Sequence, residues 1–481
     1  MGDTSAATAT GQTIGDQIKQ SPAVRQAIDA IVAEVEARCS AITDVRPANP
    51  GLKVEYDDLL KRCGAVKGRP LLYPYVASGA GNGALVELAD GSVKWDMITG
   101  IGVHFLGHSN PAVIRAQVEA GLEDTTKHGN LLSNFAAYEF GERLLAHAKK
   151  GSKLAHAFVT TSGAMANESA IKICYQKRGG ASRVIAFSHC FMGRSVTMSQ
   201  IGDSAANRQG IPLSTQVDYM PFYDAVEAER VGQGAYIERA VAQLDEYAAR
   251  YPGQHACFIF ELVQGEGGFN TAPREFFVAL MERCKQHGIL VWDDEIQAFG
   301  RTTEMFAYDM LGLGEYVDVF CVGKMTQACA TMWTEELNPG PGLLSGTFTG
   351  NSSDFTVGNL LIDTLAGGGF YGPDGAFAKH FGAFVEQVRT LAGKHPAWFG
   401  EVKGAKDIVG GVGGMMRFTP FGGDKDKVIK MCKLAYEEGL ICFWCGHGPF
   451  HVRFLPPLPV FDVADWARVF EVLERAMAKV G

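Results

Sequence analysis

A lysine, an aspartate and a turn of small residues are the parts of this sequence best suited to catalysis. Lys324 follows an apolar β-rich run, and a lysine partly withdrawn from water at the end of a strand can lose its proton and act as a nucleophile. Asp294 ends another apolar run, where a buried carboxylate requires a cationic partner. Ser162-Gly163-Ala164 opens a predicted helix, whose free N–H groups suit a phosphate.

The elements that must position these residues follow a strand–helix alternation between about residues 110 and 345. This alternation is typical of a parallel sheet covered by helices on both faces. Ligands bind outside the carboxyl ends of the strands in such sheets, so the polar residues after each strand indicate one site. The predicted strands are 155–160, 183–187, 256–263, 289–293 and 317–322.

A phosphate-binding turn, an amine nucleophile and a buried aspartate together suit a pyridoxal phosphate site. Each feature alone has a structural interpretation, since a lysine after a strand is usually a solvated surface residue. A nucleotide-binding oxidoreductase or NTPase is the first alternative, but the chain has no GxxxxGK[ST] motif and no GxGxxG motif after a predicted strand. A scaffold without a cofactor is the second, and the presence of both Lys324 and Asp294 argues against it.

Composition limits the partners and the compartment. The net charge of −9 argues against binding to nucleic acid or to an anionic membrane. The 11 cysteines are scattered, several inside apolar runs, which indicates free thiols in a reducing compartment. We expect no metal site, because Cys442-Phe-Trp-Cys445 has no second ligand pair. Residues 1–17 lack the features of a secretory signal, so a cytoplasmic protein is expected.

The sequence predicts three regions. Residues 1–95 form an N-terminal segment that packs with a small domain, residues 96–345 form a large cofactor-binding domain, and residues 346–481 form the small α+β domain. Helical patterns are predicted at 23–41, 377–391, 427–438 and 465–479, with a β run at 448–455.

From about residue 85 to 460 the sequence resembles the class III (ω-type) aminotransferases, which are pyridoxal phosphate enzymes of fold type I. The resemblance implies an α/β fold whose large domain contains a mostly parallel, seven-stranded sheet. Within the family, the segment around Lys324 is most similar to the lysine 6-aminotransferase branch. The matching blocks are Asp96-Met-Ile-Thr-Gly, Leu106-Gly-His-Ser-Asn-Pro, Thr161-Ser-Gly-Ala-Met-Ala-Asn-Glu, Glu261-Leu-Val-Gln-Gly-Glu-Gly-Gly, Asp294-Glu-Ile-Gln, Phe299-Gly-Arg-Thr, Gly346-Thr-Phe-Thr-Gly-Asn and Arg453-Phe-Leu-Pro-Pro-Leu.

The resemblance implies a role for each residue around the cofactor ring. Lys324 would form the internal aldimine and later carry the proton between the substrate Cα and the cofactor carbon. Asp294 would pair with the pyridine nitrogen, and Gln297 would hydrogen-bond the phenolic oxygen. Phe191 would stack on the ring.

The resemblance also implies how the phosphate is held and how the chain assembles. Ser162, Gly163 and Ala164 would bind the phosphate. Thr347 would reach the same phosphate from the neighbouring subunit, which makes the enzyme an obligate homodimer.

Two arginines and a glutamate would set specificity in the resembled family. Arg194 would bind the distal carboxylate of 2-oxoglutarate or the α-carboxylate of an ω-amino donor. Arg453 would bind the α-carboxylate of glutamate, and Glu266 would pair with Arg453 when the bound donor has no carboxylate there. The partners would be an amino donor and a 2-oxo acid.

Some residues depart from the family pattern near the substrate. Met192 replaces the usual His, Leu262 replaces the usual Pro, and the loop after Gln297 is one residue shorter. We expect an aminotransferase that moves an amino group from a lysine- or ornithine-like donor to 2-oxoglutarate by a ping-pong mechanism. The alternatives are a pyruvate-linked ω-transaminase and another class III activity, such as a racemase or a decarboxylating transaminase.

Overall fold

A computed structural model describes residues 12–402 and 406–481. Its helices are α1 (Ile14–Gln20), α2 (Pro22–Cys39), α3 (Lys53–Lys67), α4 (Thr99–Gly102), α5 (Pro111–Ala120), α6 (Phe135–Ala148), α7 (Gly163–Lys177), α8 (Val196–Ile201), α9 (Ala205–Arg208), α10 (Ala225–Val231), α11 (Gln233–Arg250), α12 (Arg274–His287), α13 (Ala307–Leu311), α14 (Ser352–Gly367), α15 (Ala376–Lys394), α16 (Lys425–Glu438) and α17 (Trp466–Ala478).

The described residues also form 17 strands. They are β1 (Ala77–Asn82), β2 (Leu85–Leu88), β3 (Val93–Asp96), β4 (Lys127–His128), β5 (Leu154–Thr160), β6 (Arg183–Phe187), β7 (Gln216–Met220), β8 (His255–Phe260), β9 (Leu290–Asp294), β10 (Val319–Val322), β11 (Cys329–Thr334), β12 (Gly350–Asn351), β13 (Val409–Val412), β14 (Met415–Phe418), β15 (Leu440–Ile441), β16 (Phe443–Cys445) and β17 (His451–Phe454).

The central sheet has seven strands in the order β5-β11-β10-β9-β8-β6-β7. All of its strands run parallel except β11, which is antiparallel to both β10 and β5. The predicted α/β class and mostly parallel sheet are therefore confirmed. Each of the five predicted strands is present, with ends shifted by at most three residues.

Helices cover both faces of this sheet because its strands are buried on both sides. In β6, Val184 packs in the cluster that contains Ala166 and Ile173 of α7. The next residue, Ile185, points the other way and packs in the cluster that contains Leu244 of α11. Alternate residues of one strand thus feed two apolar layers, as expected for a sheet between two layers of helices.

Two four-stranded sheets and the two-stranded sheet of β4 and β12 lie outside the central one in the described residues. The antiparallel sheet β13-β14-β17-β16 belongs to the C-terminal part, whereas β1, β2 and β3 are joined by β15 in a second sheet. Leu440 of β15 pairs in parallel with Trp95 of β3, so N-terminal and C-terminal segments share a sheet. The predicted β run at 448–455 is shorter in the structure, where β17 covers His451–Phe454 because a turn precedes it. None of the helices in the described ranges is long and apolar enough to cross a membrane.

Candidate active site

Lys324 lies in the turn between β10 and β11, at the carboxyl edge of the parallel strands. Its backbone has φ +52°, a left-handed conformation that is uncommon for a residue with a side chain and is concentrated at functional sites. Lys324 lines a cavity of about 160 Å³. Of the predicted site residues, the same cavity also contacts Gly163, Ala164, Phe191, Asp294 and Gln297.

The environment of Lys324 favours its neutral amine. Burial lowers the pKa of Lys324 to about 8, and the positive charges of Arg453 and Arg301 act in the same direction, whereas Glu266 opposes them. Because a neutral amine is the nucleophilic form, the turn after β10 presents a lysine suited to attack a carbonyl carbon.

Asp294 is the last residue of β9 and faces the same cavity. Its Oδ2 accepts a hydrogen bond from Asn167 Nδ2 at 2.7 Å, and its Oδ1 accepts one from the Ile296 backbone N–H at 3.0 Å. Burial raises the pKa of Asp294 to about 6, although both hydrogen bonds oppose the increase. Among the described residues neutral donors hold this carboxylate, the charge of Lys324 also acts on it, and each oxygen keeps a lone pair for a ligand; the predicted cationic partner, a ring nitrogen, stays a prediction.

Asn167 is a functional residue that the sequence reasoning missed. It is fully buried in α7, and its Nδ2 donates both to Asp294 and to the Met192 carbonyl at 2.8 Å. Its Oδ1 has no hydrogen-bond partner in the described part of the chain. The available signal was a polar residue on the apolar face of a helix, one turn after Gly163.

Glu261 was also missed, although it belongs to one of the matching sequence blocks. Its carboxyl group accepts hydrogen bonds from the backbone N–H groups of Phe191 at 3.0 Å and Gly265 at 3.1 Å. Burial and then the negative charge of Asp294 raise the pKa of Glu261 to about 8. This glutamate therefore fixes Phe191 beside the cavity and anchors the loop that carries Glu266.

The amino end of α7 forms another wall of the cavity. The Ser162 hydroxyl caps the helix by accepting from the Met165 N–H at 3.3 Å, so its side chain has a structural use and does not line the cavity. The first N–H groups of a helix, here those of Gly163 and Ala164, have no partner inside the helix. A Cβ atom on Gly163 would lie 2.9 Å from the Ile296 side chain, so glycine is needed for this close approach.

Glu266 and Arg453 form a bidentate ion pair next to the cavity. The two Arg453–Glu266 hydrogen bonds measure 2.8 and 2.9 Å, and Arg453 also donates to Gln297 Oε1 at 3.1 Å. Burial alone would lower the pKa of Arg453, but the charge and hydrogen bonds of Glu266, together with nearby cysteines, outweigh it and the pKa is raised. The structure therefore brings Gln297, Glu266 and Arg453 together, and their roles towards cofactor and substrate stay predictions.

Arg194 and Thr347 do not join the cavity of their own chain. Arg194 is exposed, and its guanidinium lies 5.4 Å from the centre of the Phe191 ring. Thr347 is exposed in the segment before β12, which pairs with β4. Their predicted roles remain predictions.

Arg301 is a further buried cation that the sequence reasoning did not single out. It is 1% exposed and donates to the Gly102 carbonyl and, at 3.4 Å, to the Gln297 carbonyl. Burial lowers the pKa of Arg301 to about 9. Because it holds the α4 turn against Gln297, Arg301 helps to close this side of the cavity.

These residues fit a flat, phosphate-bearing aldehyde. The N-terminus of α7 offers donors for a phosphate, and Asp294 offers free lone pairs for a protonated ring nitrogen. Lys324 supplies the amine, while Phe191 and Ile296 provide apolar surfaces. Pyridoxal phosphate carries all the matching groups.

Comparison with known proteins agrees with this geometry. The family model described as "Aminotransferase class-III" matches residues 66–477, most of the chain. The chain belongs to the class III aminotransferase family. It is therefore an enzyme of the transaminase type, and its cofactor is pyridoxal phosphate.

Similar proteins differ in their named substrates. A diaminobutyrate–2-oxoglutarate transaminase of Nocardia farcinica is 28% identical over 412 residues, 82% of this chain and 88% of that protein. An acetylornithine aminotransferase of Synechocystis sp. is 28% identical over 469 residues, 93% and 98% of the two chains. Lysine aminotransferase from M. tuberculosis, solved in the internal aldimine form, has the same fold, with a TM-score of 0.75 at 22% identity, covering 88% of this chain and 100% of that one.

Proposed function

We propose that this class III aminotransferase moves an amino group from a diamine-type amino acid, similar to lysine or ornithine, to 2-oxoglutarate. The observation that carries the proposal is the pair formed by the buried Arg453 and the half-buried Glu266 beside the cavity of Lys324. An ion pair at this position can open to bind the carboxylate of one substrate and close for another. Relatives named for diaminobutyrate and acetylornithine support a donor with two nitrogen groups.

Lys324 is the proposed nucleophile and proton carrier. Pyridoxal phosphate, when bound, supplies an electrophilic carbon and a ring that takes up the electrons of a broken Cα–H bond. Nζ of Lys324 has a pKa near 8, so it can take a proton from the substrate Cα and return it to a neighbouring carbon at neutral pH.

Asp294, Gln297 and Phe191 are the proposed ring contacts. Asp294 would hold a proton on the ring nitrogen, since its carboxylate is oriented by Asn167 and by a backbone N–H. Gln297 would hydrogen-bond the phenolic oxygen, and Phe191, held by Glu261, would cover one ring face. Gly163 and Ala164 would bind the phosphate through their backbone N–H groups, with Ser162 capping the helix that presents them.

The ion pair explains how one pocket could accept two kinds of substrate. With 2-oxoglutarate or glutamate bound, the Arg453 guanidinium would bind the α-carboxylate in place of Glu266. With a terminal amine presented for transfer, Glu266 would stay on Arg453 and leave no unpaired charge in the buried site. Arg194, exposed beside Phe191, would bind the remaining carboxylate.

We also propose a homodimer in which Thr347 reaches the phosphate of the neighbouring subunit. Thr347 is exposed, and a hydrogen bond from the Asn130 N–H to the Gly346 carbonyl, 3.1 Å long, joins its segment to the loop before α6. Exposed apolar side chains cluster on these segments, as expected for an interface. They are Leu131, Leu132, Phe135 and Phe348.

We also propose the three regions of the chain and the reducing compartment that the sequence predicts. Division into a segment over 1–95 and domains over 96–345 and 346–481 is supported by the separate central sheet and by β15, which joins β3. All 11 cysteines are free thiols, which supports a reducing compartment such as the cytoplasm.

Transamination assays with pairs of amino donor and 2-oxo acid test the proposed function. Lysine, ornithine, diaminobutyrate and acetylornithine would be paired with 2-oxoglutarate or pyruvate, and the glutamate or alanine formed would be measured. We expect glutamate from at least one diamine-type donor. Alanine formed from pyruvate, with no glutamate from any donor, would identify a pyruvate-linked ω-transaminase and contradict the proposal.

Two single variants distinguish the loss of the Glu266–Arg453 ion pair from a general loss of activity. Arg453→Met should lower kcat/KM for 2-oxoglutarate by about 100-fold, since a charge-assisted bidentate contact is worth roughly 2–3 kcal/mol. Arg475→Met removes an arginine that is exposed on α17 and pairs with Glu438, and it serves as the matched control. Equal activity of both variants with 2-oxoglutarate would remove Arg453 from substrate binding.

A further inference from the structure

A second, larger cavity lies on the other side of the loop that carries Glu266. This cleft has a volume of about 750 Å³ and lies between the β8–α12 loop, the β7–α10 segment and the small sheet of β13, β14 and β17. Gln264 and Phe269 form its wall on the loop side, while Arg417 and His451 form its wall on the small sheet. None of these residues lines the cavity of Lys324.

Arg417 is a buried cation without a matching anion. Its side chain is 8% exposed, and its Nη1 donates weakly to Thr419 Oγ1 at 3.4 Å and to His451 Nδ1 at 3.3 Å. Its Nε has no hydrogen-bond partner, and no carboxylate forms an ion pair with it among residues 12–402 and 406–481. Burial lowers the pKa of Arg417, and the negative charge of Asp407, which is not in hydrogen-bond contact with it, offsets this only in part.

The acidic side chains of the cleft are engaged elsewhere. Asp407 pairs with Arg389 and accepts from the Val409 N–H at 3.0 Å. Glu227 pairs with Arg230 and Arg239, and Asp224 caps α10. Arg417 Nε is enclosed by protein, and the Arg417 hydrogen bonds in the described ranges come from Nη1, so the donors of Nη2 are available to a ligand.

His451 adds a neutral donor to the same wall. Its Nδ1 lies 2.7 Å from the Thr419 hydroxyl and 3.3 Å from Arg417 Nη1; because a guanidinium can only donate and a hydroxyl can donate, Nδ1 is assigned as the acceptor and the ring proton is on Nε2. Burial and then the charge of Arg417 lower the pKa of His451 to about 2, which keeps the ring neutral. Nε2 lies beside Gly268, which has no side chain to cover it.

We propose that this cleft binds a small molecule bearing a carboxylate or phosphate group, with the Arg417 guanidinium and His451 Nε2–H as the anion donors. The remainder of the ligand would pack on Phe222 and Tyr223, which line the same cleft. A guanidinium fork matches two oxygens of either anion, so the chemistry shared by carboxylate and phosphate defines the ligand class.

Calorimetric titration of the borohydride-reduced holoenzyme tests the proposal, because the phosphate site at α7 is then filled. The probes are inorganic phosphate and phenylacetate, which separate a phosphate ligand from an aromatic carboxylate. We expect saturable binding of at least one probe, with its Kd raised tenfold or more in Arg417→Met. Arg417→Lys keeps the charge but not the fork and should give an intermediate Kd, whereas Arg475→Met should change Kd less than twofold.

Two outcomes would overturn the proposal. One is the absence of saturable binding of both probes to the wild-type enzyme. The other is a Kd that does not change in Arg417→Met. Should that variant fail to fold, a wild-type crystal soaked in selenate decides: an anomalous peak within hydrogen-bond distance of Arg417 supports the site, and peaks only elsewhere overturn it.

Discussion

Two arginines face each other in neighbouring strands of the small sheet but lie in opposite electrostatic environments. Arg417 of β14 is the register partner of Arg453 of β17, and both side chains are buried. Arg453 forms an ion pair with Glu266 and its pKa is raised, whereas Arg417 hydrogen-bonds only to neutral groups in the described residues, and burial outweighs the charge of Asp407 so that its pKa is lowered. The strands place both guanidiniums, but the loop after β8 decides which of them is paired.

The same contrast separates the two cavities beside that loop. Around Lys324, each carboxylate accepts hydrogen bonds from fixed donors, as Asp294 and Glu261 do. In the cleft, by contrast, Arg417 forms no ion pair with a carboxylate of the described residues, although the Nε–H groups of Arg417 and Arg453 both lack a hydrogen-bond partner there. A site with its ionic partners in place is preorganised for chemistry, whereas a buried cation without an ion pair is poised to bind an anion.

Removing the amine of Lys324 is the most direct test of the difference between the two cavities, and it should have the largest effect. Lys324→Ala should lower kcat at least about a thousandfold, equivalent to ~4 kcal/mol, because the nucleophile and proton carrier are lost together. Steady-state transamination assays measure this effect. Lys406→Ala, which removes a lysine of the cleft, is the matched control and should keep kcat within about twofold. Comparable losses in the two variants would contradict the assignment of chemistry to the first cavity.

Removing Arg453, the paired arginine, should lower the free energy of unfolding more than removing Arg417. Arg453→Met leaves Glu266 without its counter-charge and should lower the free energy of unfolding by about 3 kcal/mol, as found when one partner of a buried pair is deleted. Urea unfolding of the apoenzyme measures this change. The double variant with Glu266→Gln should recover much of the loss; no recovery would mean that packing, not charge, explains it.

The pKa values of two glutamates in this region are shifted in opposite directions, so their contributions to stability should depend on pH in opposite ways. The pKa of Glu266 is lowered below 4.5, so it stabilises the fold above pH 4.5 and loses this contribution as the pH falls through its folded value. The pKa of Glu261 is raised to about 8, so its neutral form stabilises the fold below pH 4.5 and the contribution is lost as the pH rises through 8.

Stability measured from pH 4 to 9 checks this contrast. Relative to wild type, Glu266→Gln should be most destabilised at neutral pH, whereas Glu261→Gln should gain relative stability as the pH rises towards 8. Parallel curves for the two variants would rule out the opposite environments.

The smallest effect is expected from the unpaired arginine. Arg417→Met should change the free energy of unfolding by no more than about 1 kcal/mol, because a buried ion without compensation contributes little and its replacement by an apolar side chain can stabilise. Thermal unfolding without added anions measures it. A loss as large as that of Arg453→Met would show that the two arginines are equivalent and that Arg417 is already compensated.

The sequence predicted the sheet and the residues at its carboxyl edge because both depend on local patterns. Lys324 and Asp294 each follow a short apolar run, and the parallel arrangement brings such strand ends together. β11 was not predicted, since it is buried on both faces and its composition gives no alternation to detect. Because β11 runs antiparallel to β10, Lys324 lies in a tight turn between these two strands and not at the start of a long helix.

Other parts of the site depend on contacts that only the fold creates. Asn167 bonds to Asp294, 127 positions away, and no local pattern reveals which polar residue will face a given carboxylate. Arg417 has no ion pair in the described residues because the nearby Asp407 pairs with Arg389, and no sequence pattern indicates which of two cations a given acid will contact. The roles of Arg194 and Thr347 rest on the family resemblance alone.

The antiparallel strand β11 has a consequence for how the molecule acquires its activity. It joins β10 to β5, and its pairing of Cys329 with Thr160 connects positions 169 residues apart. Contacts between such distant positions form slowly, because a long loop must close first. Lys324 precedes β11 by only five residues, so the wall of its cavity from α7, which follows β5 directly, reaches it only when this late contact forms. The ability to bind cofactor should therefore appear at the end of refolding, after most helical structure is in place.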